Sequence, residues 1–234
     1  MKASWFLIDT QDEITFDSTS ISATAPFGQN INIGKSRRYG IETRVDLHPF
    51  KEVDLYGSYT WTEAYVRETD PTGTLVDGRS LGQIPSHRMT WGGAVRPLAW
   101  FGEPFDGFVF GVNGVFTGSQ HPLTYESSTE AILANTGGAG HVIKSYTLWD
   151  IIASYQWREF EVYLKVNNFF DTKYYSESVS ATVFPAAWGG ATVLPAGDYA
   201  FVIPGEPREI LFGFKWEFDA PFIGNEKSAG PPAA

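Results

Sequence analysis

Glu209-Ile210-Leu211-Phe212-Gly213-Phe214-Lys215-Trp216-Glu217-Phe218 carries Ile, Phe, Phe, Trp and Phe at alternate positions, with Glu, Leu, Gly, Lys and Glu between them. Alternate side chains of an extended strand point to opposite faces, so this run describes a strand with one large apolar face and one polar or small face. A helix would scatter the same residues around its axis.

The pattern repeats upstream. Tyr39, Ile41, Thr43, Val45 and Leu47 oppose Arg38, Gly40, Glu42, Arg44, Asp46 and His48. After Pro49-Phe50-Lys51, Val53, Leu55, Gly57, Tyr59 and Trp61 resume it. Comparable runs start at Met89, Phe108, Trp149 and Val162, and an opening strand is expected around Trp5 to Phe16. This predicts eight strands and no amphipathic helix. Short connections, near Pro49-Phe50-Lys51, Leu98 to Asp106 and Arg158-Glu159, alternate with long ones at about 17–36, 66–87, 118–145 and 171–207. Tight turns at one rim and long loops at the other are the mark of an up-and-down membrane barrel. Strands of about 9–11 residues match a tilted bilayer crossing. Trp61, Trp91, Trp149, Trp157, Trp216 and Phe218 are expected in interfacial belts at the strand ends.

Composition narrows the function. The 234 residues are 16% aromatic and 19% charged, which fits a folded chain. The formal charge of −10 offers no basic surface for a phosphate backbone, so nucleic acid is not an expected partner. There is no cysteine, hence no disulfide scaffold, thiolate metal site or cysteine nucleophile. The uncharged stretches 107–125 and 178–197 hold prolines and glycines that no spanning helix would keep. Met1-Lys2 leads into an apolar stretch too short for a signal peptide, so no export address is expected in this sequence.

No nucleophile elbow, phosphate loop or zinc-protease motif occurs; neither a catalytic residue nor a cofactor is expected. Asn167, Asn168 and Asp171 are read as turn-fixing residues that bond loop backbone. His121 and His141 are read as surface histidines, without a paired carboxylate pattern to make a metal site. Arg38, Glu42, Arg44, Asp46, Asp54, Asp150, Lys165 and Glu209 fall on the polar strand faces, where each charge needs a partner. Tyr125, Trp188, Tyr199 and Phe201, in the long loops among small residues, are candidates for contact with a flat ligand.

Five stretches in order resemble the C-terminal part of a TonB-dependent outer-membrane receptor. They are Asn32-Ile33-Gly34 with Arg38 to Glu42; Leu55-Tyr56-Gly57-Ser58-Tyr59-Thr60-Trp61-Thr62-Glu63-Ala64; Ile84-Pro85-Ser86-His87-Arg88; Leu164 to Tyr175, similar to "V-x-N-L-F-D-x-x-Y"; and Gly205-Glu206-Pro207-Arg208, similar to "P-G-x-P-R". The resemblance implies a segment (1–218) of a 22-stranded outer-membrane barrel, with 219–234 as a flexible tail. It implies lipid around the wall, and import of a metal chelate such as a ferric siderophore by the whole receptor. The plug and the TonB-engaging segment would lie in N-terminal parts not in this sequence. At about 29 residues per strand with its connection, 22 strands need about 640 residues, so this reads as the last third of such a receptor. Two alternatives remain open: a complete eight-stranded outer-membrane barrel with a structural or adhesin-like role, and a soluble carbohydrate-binding sandwich.

Overall fold

A computed structural model describes residues 1–17, 29–68, 80–121, 142–183 and 197–217. For 15–17, 29, 31, 33, 179–183 and 197–201 it describes the backbone alone. Among the described residues ten strands form: β1 Lys2–Asp17, β2 Gln29–Phe50, β3 Val53–Glu68, β4 His87–Val95, β5 Phe108–Thr117, β6 Tyr146–Trp157, β7 Phe160–Asn167, β8 Tyr175–Val183, β9 Gly197–Pro204 and β10 Glu209–Trp216. Eight of them make one antiparallel meander in the order β1-β2-β3-β4-β5-β6-β7-β10, as the alternation predicts. No helix among the described residues is long and apolar enough to cross a membrane, which has no bearing on crossing by strands.

Register carries the alternation across the whole sheet. Ile210 pairs with Val166 and Phe212 with Leu164; Val166 pairs in turn with Ile151 and Leu164 with Ala153. Ile151 faces Val112, Val112 faces Gly93, Gly93 faces Leu55 and Leu55 faces Leu47. Directly paired residues share a face, so the apolar sides of the strands line up as one band. Among the described residues nothing covers that band. Among the described residues, the buried apolar side chains are Ala64, Val66 and Ile143, while Phe212 is 76% and Trp5 65% exposed. A soluble sandwich would pack a second sheet on this face; this sheet presents it outward.

The sheet is open, with β1 and β10 at its edges, and among the described residues no ladder joins them. Among the described residues the sheet is therefore not a closed eight-stranded barrel. Strand edges with unpaired backbone call for partner strands.

Three features depart from expectation. β1, β2 and β3 run to 16, 22 and 16 residues, beyond a bilayer crossing; above lipid, a hairpin can continue pairing without alternating apolar residues. The stretch read as a loop at 171–207 contains the β8–β9 hairpin. Its serine-rich first strand, Ser176-Glu177-Ser178-Val179-Ser180, has loop composition and gains strand form only by pairing with β9. Trp91 and Trp149 do not sit in a rim belt. They pack edge to face at 5.3 Å further in, where Gly114 leaves room that a Cβ would fill, 2.4 Å from the Trp91 ring. The tail 219–234 and Phe218 lie outside the described residues.

Candidate functional site

The face opposite the apolar band is polar, and several of its charges are paired or hydrogen-bonded. Arg38 bonds Glu13, which also accepts from Ser36. Arg44 donates to Asp46 at 2.7 Å. Asp54 accepts from Arg96 at 2.9 Å and lies 2.7 Å from His48 Nδ1. Asp150 accepts the Asn168 amide at 2.9 Å, and Glu209 the Asn167 side-chain amide at 2.9 Å. Lys165 lines a hollow of about 410 Å³ with Asp54, Tyr56, Asn113 and Asp150. Glu42 lines a second hollow of about 690 Å³ with Lys2 and Arg44. This is a surface suited to water and to a polar occupant, not to lipid.

At the long-loop rim the chain leaves β7 through a built junction. Asn168 and Asp171 adopt φ values of +46° and +53°, in the left-handed region that asparagine and aspartate tolerate best after glycine. The buried Asn168 amide donates to the carbonyls of Thr172 and Glu206, each at 3.0 Å, and its oxygen accepts the Thr172 N–H at 2.9 Å. Asp171 accepts the Arg208 N–H at 3.1 Å and the Lys173 ammonium at 3.0 Å. The Arg208 amide, then Lys173, holds the Asp171 carboxyl below the ordinary carboxylate range. Thus the two segments that resemble family signatures, 164–175 and 205–208, meet in space across the whole β8–β9 hairpin. Gly205 is required there: its N–H donates to the Tyr174 carbonyl at 2.8 Å, and a Cβ would lie 2.0 Å from the Tyr174 ring. Tyr174 packs on Tyr146 with ring centroids 4.4 Å apart.

The turn-fixing reading of Asn168 and Asp171 is what the geometry displays, and Asn167 bonds Glu209 instead of loop backbone. Of the ligand candidates, Tyr125 and Trp188 lie outside the described residues, as does His141. Tyr199 and Phe201 occupy alternate positions of β9, opposite Ala181 and Val179, and so share one face of the hairpin. The carbonyl of His121 accepts the Gln83 N–H at 2.9 Å. Among the described residues no group of three or more His, Asp or Glu side chains is placed to hold a metal ion.

Sequence reasoning missed a crevice of about 340 Å³ beside the junction, lined by Lys144, Tyr146, Lys173, Tyr174 and Ser178. The Ser178 hydroxyl is buried there, with no hydrogen-bond partner among the described residues. The only local signal was the run Lys173-Tyr174-Tyr175 after the turn; Lys144 and Ser178 join it through pairing that composition does not reveal.

Residues 1–169 match the family described as TonB dependent receptor-like, beta-barrel. Among solved structures, the chain is similar to the ferric-catecholate import receptor Fiu from K12 E. coli in its closed form, at 21% identity and TM-score 0.57, over 92% of this chain and 25% of that one. It is similar to the ferric citrate transporter FecA in its unliganded form, at 19% identity and TM-score 0.57, over 92% and 28%. It is also similar to the pyoverdine outer membrane receptor FpvA from Pseudomonas aeruginosa PAO1 bound to pyoverdine, at 17% identity and TM-score 0.57, over 92% and 27%. At these identities the likeness is one of fold. The chain spans about a quarter of the length of those receptors. No curated protein sequence matches it.

Proposed function

We propose, from the premise that this chain belongs to the TonB-dependent receptor β-barrel family of the outer membrane, that it is the C-terminal wall segment of a receptor that imports a metal chelate such as a ferric siderophore. The observation that carries this reading is the division of the sheet into one outward apolar face and one polar face that carries ion pairs such as Arg38–Glu13 and Asp54–Arg96. A wall between lipid and a water-filled lumen needs that division, and an enzyme or a soluble binding module does not. The open edges at β1 and β10 support completion by further strands of the same receptor. The plug and the contact with TonB belong, in this reading, to the remainder of that receptor.

The structural neighbours named for ferric-catecholate, ferric citrate and pyoverdine support a metal chelate as the ligand class, with the long-loop rim as the side that meets it. Tyr125, Trp188, Tyr199 and Phe201 are assigned as aromatic contacts on that rim. The test is uptake of radio-iron from a panel of ferric chelates in cells with and without the gene, each with and without TonB. Loss of uptake of one chelate on deletion, matched by loss without TonB, is the expected result; unchanged uptake across the panel overturns the assignment. In the complete receptor, Trp188→Ala and Tyr199→Ala are expected to weaken chelate binding about tenfold, as removal of an aromatic anchor does. Unchanged affinity in both removes the aromatic contacts while leaving the wall reading intact.

A further inference from the structure

The crevice of about 340 Å³ beside the exit of β7 stands apart by its charge. In a chain of formal charge −10 it is lined by two lysines, Lys144 and Lys173, and among the described residues by no carboxylate. Ser178 lines it too. That residue is 1% exposed, and its hydroxyl has no hydrogen-bond partner among the described residues. A buried hydroxyl is costly to leave unpaired, so a group that supplies its partner gains from binding there.

Its walls are held in place. The Ile143 N–H donates to the Gln120 carbonyl at 3.0 Å and the Gln120 N–H to the Ile143 carbonyl at 3.1 Å, which fixes the backbone that carries Lys144. The Gln120 side-chain amide donates to the Ser176 carbonyl at 3.3 Å and so links that wall to β8. Val202 of β9 pairs directly with Ser178 and lines the crevice beside it. The Tyr146 and Tyr174 rings, 4.4 Å apart, belong to the same lining.

The strand pattern places this lining on the polar side of the wall. Tyr146 stands four residues before Asp150 in β6, and residues an even number apart in a strand share a face. Ser178 and Val202 occupy the hairpin face opposite that of Tyr199 and Phe201, so a contact here is separate from those aromatics and is tested separately. The crevice has room for about ten water molecules. That is near the lower end of the roughly 300–1,000 Å³ of complete small-ligand sites, and suits one arm of a chelate. Ile143, Val202 and the tyrosine rings can cover the carbon body of such an arm, while the ammonium and hydroxyl groups can meet its head.

We infer that this crevice is a carboxylate subsite: it takes a free carboxylate arm of the imported chelate, with Lys144, Lys173 and the Ser178 hydroxyl as donors. A ligand oxygen bound to the metal shares its charge with the metal, whereas a carboxylate off the metal keeps its charge for ammonium groups. Lys173 already shares its charge with Asp171 at 3.0 Å, so Lys144 contributes the larger part. The substrate is accordingly a chelate with at least one carboxylate left over from metal binding. This rests on the reading of the chain as part of a chelate receptor, and the experiment separates the two.

Equilibrium binding is measured on the complete receptor in outer-membrane vesicles. The probes are radio-iron catecholate, hydroxamate and hydroxycarboxylate chelates, each prepared with a pendant propionate arm and as the methyl ester of that arm. The chelate that binds is expected to bind about tenfold tighter as the acid than as the ester. Lys144→Gln is expected to weaken the acid about tenfold and leave the ester unchanged, and Lys173→Gln to do the same about threefold. Ser178→Ala, which removes a hydroxyl that no described residue uses, is expected to weaken the acid about fivefold and the ester little. Equal affinities of acid and ester overturn the carboxylate subsite while the receptor reading stands. So does a difference that survives Lys144→Gln, or a Lys144→Gln loss that is the same for acid and ester. Absence of binding by every chelate in the panel overturns the receptor reading and the subsite with it.

Discussion

The outward face of the sheet and the exit of β7 adjoin each other, yet they use sequence in opposite ways. Across the face, apolar side chains from eight strands repeat one requirement, and many of them are largely exposed. Val, Leu, Ile or Phe would serve at nearly any of these positions, because lipid asks for apolar area and not for shape. At the exit of β7, by contrast, one amide joins Thr172 to Glu206, and one carboxylate joins Lys173 to the backbone of Arg208. No other residue type presents a donor and an acceptor of that length in a left-handed conformation. The wall is specified by a pattern, the junction by particular atoms.

The sharpest way to break that contrast uses two adjacent isoleucines. Ile151 faces outward opposite Val112 and Val166, while Ile152 faces the polar side opposite Gly111 and Lys165. An arginine in mid-band must enter hydrocarbon, whereas one on the lumen face meets water, with Asp54 and Asp150 around the same hollow. Ile151→Arg is therefore expected to cost about 2–4 kcal/mol and Ile152→Arg less than about 1 kcal/mol, read from denaturant unfolding in lipid vesicles. Equal costs at the two positions would remove the distinction between the faces. Val, Leu or Met at Ile151 should be nearly neutral, as expected of a position specified by pattern alone.

The junction should behave the other way, with chemistry deciding and hydrophobicity irrelevant. Asn168→Ala removes three hydrogen bonds from a residue that is 4% exposed and has φ of +46°. At about 1 kcal/mol for each bond, less what water recovers, the expected loss is about 2 kcal/mol. Asn168→Asp keeps the acceptor toward Thr172 but turns the two donor contacts repulsive, so it should be no better than alanine. Hydrogen exchange at the Thr172 amide reports the loss locally; unchanged protection there in Asn168→Ala would mean the amide does not organise the turn.

These two regions also differ in how much of them could be read in advance. The band was legible because each strand states its own face: Ile210, Phe212, Phe214 and Trp216 declare it without any neighbour. Asn168 and Asp171 were legible only as turn residues. Their partners at Glu206 and Arg208 stand 38 and 37 positions away, brought close by the hairpin. That hairpin was itself hidden, since the serines of β8 have no alternation strong enough to outweigh their loop composition. Ser178 and Lys144, which line the rim crevice, are invisible for the same reason: long-range pairing puts them there.

The smallest effect tests the finest part of the junction, through pH. Asp171 has a carboxyl held below its ordinary value of 3.8, first by the Arg208 N–H and then by Lys173. A carboxyl whose folded value is depressed contributes stability that is present above the unfolded value and is lost as pH falls through the folded one. The contacts of Asp171 should therefore be intact at neutral pH, begin to weaken as pH drops toward 3.8, and be gone once the carboxyl is protonated. The Arg208 amide is the readout: its exchange protection should fall over that acidic window in the unaltered protein and be independent of pH, and lower throughout, in Asp171→Asn. Lys173 distinguishes the two causes. It is exposed, and exposed ion pairs contribute little, so Lys173→Ala should leave the acid transition at Arg208 in place and move it only slightly upward. If Lys173→Ala abolishes the transition, the ammonium and not the backbone amide holds the carboxylate, and the junction would be a surface charge pair of the ordinary, replaceable kind rather than a site set by particular atoms.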